Sequence, residues 1–221
     1  MYDIILINPK SNVLHSFNFL IAKSIPLSLA YIAAYLEKKN YRVKIIDEEV
    51  GEVTREKLLE LVDHKKPLFG LSCLTPTVSR GYQLADFLKS VFPESTIVFG
   101  GIHGTVLPEE VLSHPAVDLV VRGEGEPIIE EIICHHRQGK DFKDILSCSY
   151  RSGSSFIHNP LAPLIDINSL PSIPYHLFDS KVYDMGFMIS SRGCPYNCAF
   201  CSQRVINGNT FRYRSTESVI A

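Results

Sequence analysis

The sequence predicts a doubly wound α/β domain built on a parallel five-stranded sheet, followed by a proline-rich linker and the opening of a second α/β unit. Short, nearly continuous apolar runs recur through roughly the first 135 residues and read as strands buried on both faces. Segments with helical spacing separate these runs, the alternation expected of a parallel sheet with right-handed crossover helices. Beyond residue 140 that alternation stops and prolines accumulate.

Residues 2 to 8, "YDIILIN", form the first strand and end in Asn-Pro. In "SLAYIAAYLEKKN" the residues Leu29, Ile32, Ala33 and Leu36 share one helical stripe, and Asn40 stands at the end. "YRVKIID" is the second strand, "TREKLLELVDHKK" a helix, "PLFGLSC" the third strand and "VSRGYQLADFLKSVF" a helix. "STIVFGG", "LPEEVLSHP", "VDLVVRG" and "EPIIEEIICHHRQ" repeat the pattern to the fifth strand and its helix. "ILSCSYRSGSSFIHN" reads as a hairpin about a Ser-Gly turn that caps the domain. The stretch from 160 to 183 contains Pro160, Pro163, Pro171 and Pro174, which rules out long regular structure and indicates a linker packed along the surface. "MGFMISS" is then a short strand leading into a cysteine-rich loop. The expected divisions are residues 1–150, 151–184 and 185–221.

Composition narrows the functional classes. A formal charge of −2 without a long like-charge run gives no general attraction to nucleic acid or anionic lipid. The start lacks a basic region and a cleavage site, and "PLSLAYIAAYL" falls far short of the roughly 20 residues of a spanning helix. A cytoplasmic location is the resulting expectation, and there six cysteines read as buried thiols or metal ligands. Cys73, Cys134 and Cys148 lie singly in apolar stretches and are expected in the core.

In open α/β sheets ligands bind beyond the carboxyl ends of the strands. Three of those ends carry small residues here. "GLSCLTPT" offers Ser72, Thr75 and Thr77; "FGGIHGT" has Gly100 and Gly101, which admit a large flat group; "RGEGEP" has Gly123, Glu124, Gly125 and Glu126. Together they indicate a ligand crevice, and His103 is the one histidine in these loops. Neither G-x-G-x-x-G after the first strand nor G-x-x-x-x-G-K-[ST] is present, so a nucleotide site of either kind is not expected. His135 and His136 have no matching acid or cysteine cluster and are expected on the surface.

In "SSRGCPYNCAFCSQR" Cys194, Cys198 and Cys201 fall within eight residues. Their i, i+4, i+7 spacing is compatible with one helix face. Gly193, Pro195 and Asn197 instead favour a loop that wraps back and points the sulfurs at one centre. Zinc asks for a fourth ligand, often from a second C-x-x-C pair that is absent here. Iron–sulfur clusters take thiolates, and three of them leave one iron open.

The pattern C-x-x-x-C-x-aromatic-C, here "CPYNCAFC", resembles the radical S-adenosylmethionine (SAM) superfamily. The resemblance implies a 4Fe-4S cluster on Cys194, Cys198 and Cys201, SAM on the open iron with Phe200 near its adenine, and reductive SAM cleavage to a radical. "PLSLAYIAAYLEKKNYRVKIID", "GLS", "GGIHGTVLPEEVL", "VDLVVRGEGE", "DINSLPSIPYHLFD" and "ISSRGCPYNCAFC", in that order, look like the branch with an N-terminal cobalamin (B12)-binding domain of flavodoxin or Rossmann type. It implies that Ser72, Thr75, Gly100, Gly101, His103 and Gly123 to Glu126 hold cobalamin. Methyl transfer or radical rearrangement on an unreactive carbon follows, with a small-molecule or lipid substrate and an electron donor such as flavodoxin or ferredoxin. The alternative is a radical SAM protein whose first domain is a scaffold or small-ligand module. The D-x-H-x-x-G motif of many cobalamin domains is absent, since "NPKSNVLH" follows the first strand. The ending "FRYRSTESVIA" resembles entry to the first barrel helix, so the resemblance implies a chain truncated early in the barrel and inactive alone.

Overall fold

The computed structural model describes residues 2–11 and 23–220. The expected loop after the first strand, "NPKSNVLH", lies partly outside the described residues, from Asn12 to His15.

The sheet is laid down by β1 (Ile4–Asn8), β2 (Val43–Asp47), β3 (Leu68–Ser72), β4 (Thr96–Gly100) and β5 (Leu119–Val121), all parallel. Crossovers run through α1 (Leu27–Lys38), α2 (Arg55–Leu61), α3 (Val78–Val91), the consecutive short helices α4 (Gly101–Val106) and α5 (Pro108–Ser113), and then α6 (Glu126–Arg137) leads out of β5. The helix starts and stops follow local chemistry. Thr54 accepts a hydrogen bond from the Lys57 amide to cap α2, and Asn40, at φ 64°, adopts the left-handed conformation just beyond α1. Pro108 and Pro127 sit in the first turn of α5 and α6, where a missing amide proton is harmless.

The strand order 2-1-3-4-5 is that of flavodoxin-like doubly wound sheets. It has one topological switch point, between β1 and β3. Each face is covered. Ile5, Ile7, Phe69, Leu71, Phe99 and Leu84 are buried on one side, and Ile4, Leu6, Leu29, Leu36, Val98 and Ile132 on the other. The predicted stripe of α1 does this work: Leu29, Ala33 and Leu36 are buried, while Ile32 is half-buried.

Among the described residues the sheet has seven strands where five were expected. The hairpin β6 (Cys148–Ser152) and β7 (Ser155–His158) does not sit on top of the domain but extends its edge, antiparallel to β5 through Val121↔Cys148 and Leu119↔Tyr150. The sheet therefore continues past residue 150. Its turn is the expected one, with Gly153 at φ 60°. Two thiols behave as predicted, because Cys73 and Cys148 are fully buried. Cys134 is only half-buried and shares a hydrogen bond of 3.2 Å with the Tyr41 hydroxyl.

The proline-rich stretch packs against α1. Ile167, Leu170, Ile173, Phe178 and Tyr183 bury a third apolar cluster with Ile25, Ala30 and Tyr31. Tyr183 also donates to Asp47 (3.0 Å), which in turn accepts from Asn8 (2.8 Å), so the segment is tied to the carboxyl ends of β1 and β2. Beyond it come β8 (Ser191–Arg192), α7 (Gln203–Asn207), β9 (Arg212–Tyr213) and α8 (Thr216–Ile220). The expected strand over "MGFMISS" shrinks to β8, since Met185 to Ser190 adopt no regular structure and Met185, Phe187 and Met188 are exposed. An apolar run without a neighbouring strand to pair with has no ladder to join.

Candidate functional site

A cavity of about 350 Å³ opens at the carboxyl ends of β1, β3, β4 and β5, next to the switch point. Its floor and walls are apolar: Leu6, Val98, Leu29, Ile32 and Ile129. The rim carries Ser28, Ser72, Gly100, Gly101 and the loop Gly123 to Glu126. The Ser28 and Ser72 hydroxyls lie 3.5 Å apart and supply paired donors and acceptors. The roof comes from the far end of the chain: Ile189, Ser191, Arg192, Ile206 and Asn207.

The two adjacent glycines have different reasons to be glycine. A Cβ on Gly100, at φ −142°, would meet nothing nearer than the Val121 carbonyl at 4.0 Å, so the missing side chain keeps cavity space open. Gly101 has φ 85°, and a Cβ there would press on the Cys73 carbonyl at 2.7 Å and amide at 2.9 Å. Gly101 therefore lets β4 turn directly into α4. Gly123, at φ 78°, gives its amide to Thr105 at 3.0 Å and shapes the rim.

Two residues expected beside the ligand, Thr75 and His103, are not among the residues that line the cavity. "GGIHGT" is not an open loop but the start of α4, and His103 is 3% exposed inside it. Its Nδ1 lies 3.2 Å from the Thr75 hydroxyl and its Nε2 3.0 Å from Glu110, which also accepts from Tyr82 at 2.9 Å. Thr75 and His103 thus serve each other and do not line the cavity. His135 and His136 are half-buried at the surface. His136 bridges the Lys66 carbonyl (2.8 Å) and the Thr96 hydroxyl (3.2 Å), fastening α6 to the amino ends of two strands.

Glu124 and Glu126 have partners that local pattern reading missed. Glu126 pairs with Arg192 at 2.5 Å; Glu124 pairs with Arg212 at 2.5 Å and with Arg192 at 3.3 Å. The Arg192, Glu124 and Glu126 side chains are each no more than 8% exposed. Burial disfavours the Arg192 charge, yet Glu126 and Glu124 outweigh it and hold the guanidinium above its ordinary pKa. Glu124 also accepts from the Ile165 amide (2.9 Å), and Arg212 donates to the Ile165 carbonyl (2.6 Å). Buried charges survive only when paired and hydrogen-bonded in this way. The one clue in the sequence is charge matching, an acidic "RGEGE" against Arg192, Arg212 and Arg214 around the cysteines.

Residues 194 to 202 form turns and irregular backbone, so the thiols do not share a helix face. The loop does fold back: the Cys194 amide donates to the Gly208 carbonyl at 3.3 Å, and Gly193, at φ 85°, lies so close to the Thr210 carbonyl that no Cβ fits. Cys194 is half-buried, while Cys198 and Cys201 are exposed. Among the described residues no three Cys, His, Asp or Glu side chains are grouped to hold a metal ion. The ring of Phe200 is 93% exposed and away from the cavity lining. No described helix is long and apolar enough to cross a membrane.

Fold and cavity together define a doubly wound α/β protein with a cavity at its switch point. The chain belongs to the B12-binding domain family, whose model matches residues 22–133. It is 32% identical over 203 residues to an uncharacterised methyltransferase of Pyrococcus horikoshii, covering 88% of this chain and 44% of the relative. It is 28% identical to the anaerobic magnesium-protoporphyrin IX monomethyl ester cyclase of Rubrivivax gelatinosus, covering 80% of this chain and 35% of that one. The chain thus spans less than half the length of either. Among solved structures, the cobalamin-dependent SAM radical enzyme OxsB, with aqua-cobalamin and SAM bound, superposes with a TM-score of 0.81 at 22% identity over 98% of this chain and 30% of its own. The radical SAM methyltransferase TsrM of Kitasatospora setae, with cobalamin and a [4Fe-4S] cluster bound, gives 0.77 at 18% identity over 100% and 46%. At these identities the likeness is one of fold.

Proposed function

We propose that the cavity holds a cobalamin and that the chain is part of a radical SAM enzyme, carrying out methyl transfer or a radical rearrangement on an unreactive carbon. The observation that carries this reading is the cavity itself: an opening with an apolar floor at the switch point of a B12-binding domain, with Gly100 leaving backbone exposed where a flat group would lie. At about 350 Å³ it accommodates a portion of a corrinoid rather than the whole, the remainder resting on the rim. The bound cofactor would supply methyl-carrier or one-electron chemistry. This chain's residues would do the rest. Leu6, Ile32, Val98 and Ile129 exclude water, the Ser28 and Ser72 hydroxyls bond polar edges, and Gly100, Gly101, Gly123 and Gly125 set the distance of closest approach.

For the cysteine segment, the spacing of Cys194, Cys198 and Cys201 supports a role as ligands of a 4Fe-4S cluster, with SAM beside it and Phe200 near the adenine. As placed here the three thiols do not form a metal-binding group. An external one-electron donor of the flavodoxin or ferredoxin kind belongs to the same reading, as does a location in the cytoplasm. Anaerobic reconstitution with iron and sulfide tests it: about four irons per chain with charge-transfer absorbance are expected, lost in Cys198→Ala. Unchanged iron content in that variant would contradict the ligand assignment.

A further inference from the structure

The segment that carries the cysteines holds an internal conflict. β8 and β9 pair antiparallel over two residues each, with Ser191 opposite Tyr213 and Arg192 opposite Arg212. A ladder this short has little stability of its own, and like charges directly opposite each other drive it apart. Glu124 removes the conflict by placing one carboxylate oxygen 3.3 Å from Arg192 and 2.5 Å from Arg212, while Glu126 takes the second branch of Arg192. Arg214, one residue beyond β9, is also drawn inward, reaching the Leu170 carbonyl at 3.1 Å and the Tyr31 hydroxyl at 3.4 Å. The ladder is therefore assembled on the α/β domain.

We propose that the Glu124–Gly125–Glu126 loop is a positioning element: it neutralises the Arg192–Arg212 pair, holds β8 against the cavity and so fixes where the chain enters the cysteine loop two residues later. Because Glu124, Glu126 and Arg192 also wall the cavity, filling the cavity and ordering the cysteine segment are linked. The second half of this statement rests on the cobalamin reading; the first does not.

Hydrogen exchange on the whole chain separates the two. The Cys194 amide, bonded to Gly208, and the Arg214 amide, bonded to Ser190 at 2.8 Å, report the segment. In Glu124→Gln their exchange is expected to rise on the order of tenfold to a hundredfold, with amides of β1 to β5 unchanged. Adding Arg212→Gln removes one of the facing cations and is expected to restore most of the protection, a non-additive result that lost packing alone does not give. Wild-type exchange in Glu124→Gln, a loosening spread evenly over β1 to β5, or additive loss in the double variant overturns the positioning role. Hydroxocobalamin is then added. Increased protection of the two amides in the wild type, absent in Glu124→Gln, supports the link; an equal gain in both overturns it. If the visible spectrum of hydroxocobalamin shows no binding to the wild type, the cofactor reading and the link fail while the ligand-free result stands.

Discussion

The adjacent glycines at the end of β4 separate stability from binding. In Gly101→Ala the new methyl group must be carried at φ 85°, a left-handed conformation that costs an L residue about 1–2 kcal/mol. The same methyl would press on backbone atoms of Cys73 at 2.7 and 2.9 Å, and that backbone, just past β3, is held by hydrogen bonds to Gly100 and His103 and yields little. Overpacking of this kind adds about 1–3 kcal/mol, so the combined loss is about 2–5 kcal/mol. Gly100→Val is the opposite case. Its extended backbone accepts a β-branched residue, and no atom lies within 4.0 Å of the new Cβ, so stability should change by less than about 1 kcal/mol. Its three added carbons, each near the ~30 Å³ of a water molecule, would fill on the order of 90 Å³ of a cavity of about 350 Å³. Urea unfolding followed by circular dichroism measures the first effect, and spectral titration with hydroxocobalamin the second. Gly101→Ala should unfold at markedly lower urea, and Gly100→Val should unfold like the wild type but bind at least about tenfold more weakly. A Gly101→Ala variant as stable as the wild type, or a Gly100→Val variant that binds equally well, would refute the reasoning for that glycine.

Other expectations follow from the same contacts. Gly193→Ala should open the cysteine loop, because its Cβ would run into the Thr210 carbonyl; proteolysis confined to residues 193–210 with an intact α/β domain is the expected pattern, and no change in cleavage would count against the fold-back. Tyr31→Phe removes the hydroxyl that accepts from the Ile189 amide (3.0 Å) and from Arg214 (3.4 Å), leaving buried donors unpaired at about 1–3 kcal/mol by urea unfolding. Burial pushes the Cys73 and Cys148 thiols up to about 12, against about 8.5 when unfolded. The folded state therefore keeps protons the unfolded state releases, and stability should fall from about pH 8.5 toward 12 by up to ~1.4 kcal/mol per pH unit per thiol; Cys148→Ala should flatten that slope. In native protein Cys198 and Cys201 should react with iodoacetamide promptly and Cys73 and Cys148 only on unfolding; early labelling of Cys73 would contradict its burial.

How far the sequence reached depended on whether the deciding interaction was local. β1 to β5 were legible because strands buried on both faces need unbroken apolar runs, and Ile4 to Ile7 or Leu119 to Val121 leave no other place to go. The edge strands β6 and β7 were legible as a hairpin but not as sheet members, since pairing with β5 is a long-range event and Arg151 and Ser152 face solvent. His103 reads as a loop residue because Gly100, Gly101 and Gly104 look like a turn, whereas Gly104 is needed for close packing of α4, where a Cβ would meet Val120 at 3.2 Å. Glu124 and Glu126 line the cavity as well as pairing with arginines, and that pairing was not legible because Arg212 and Arg192 lie 88 and 66 residues away. The cavity floor of Leu6, Ile32 and Ile129 was hidden for the same reason: each residue reads only as core.

Cobalt gives a direct measure of whether the switch-point cavity is the cofactor site. Crystals of the chain grown with hydroxocobalamin, measured at the cobalt absorption edge, should show a single anomalous peak at the mouth of the cavity, bounded by Ser72, Gly100, Gly123 and Arg192. A peak at another surface, or full-length ordered protein with no peak at saturating hydroxocobalamin, would contradict cobalamin binding in this cavity.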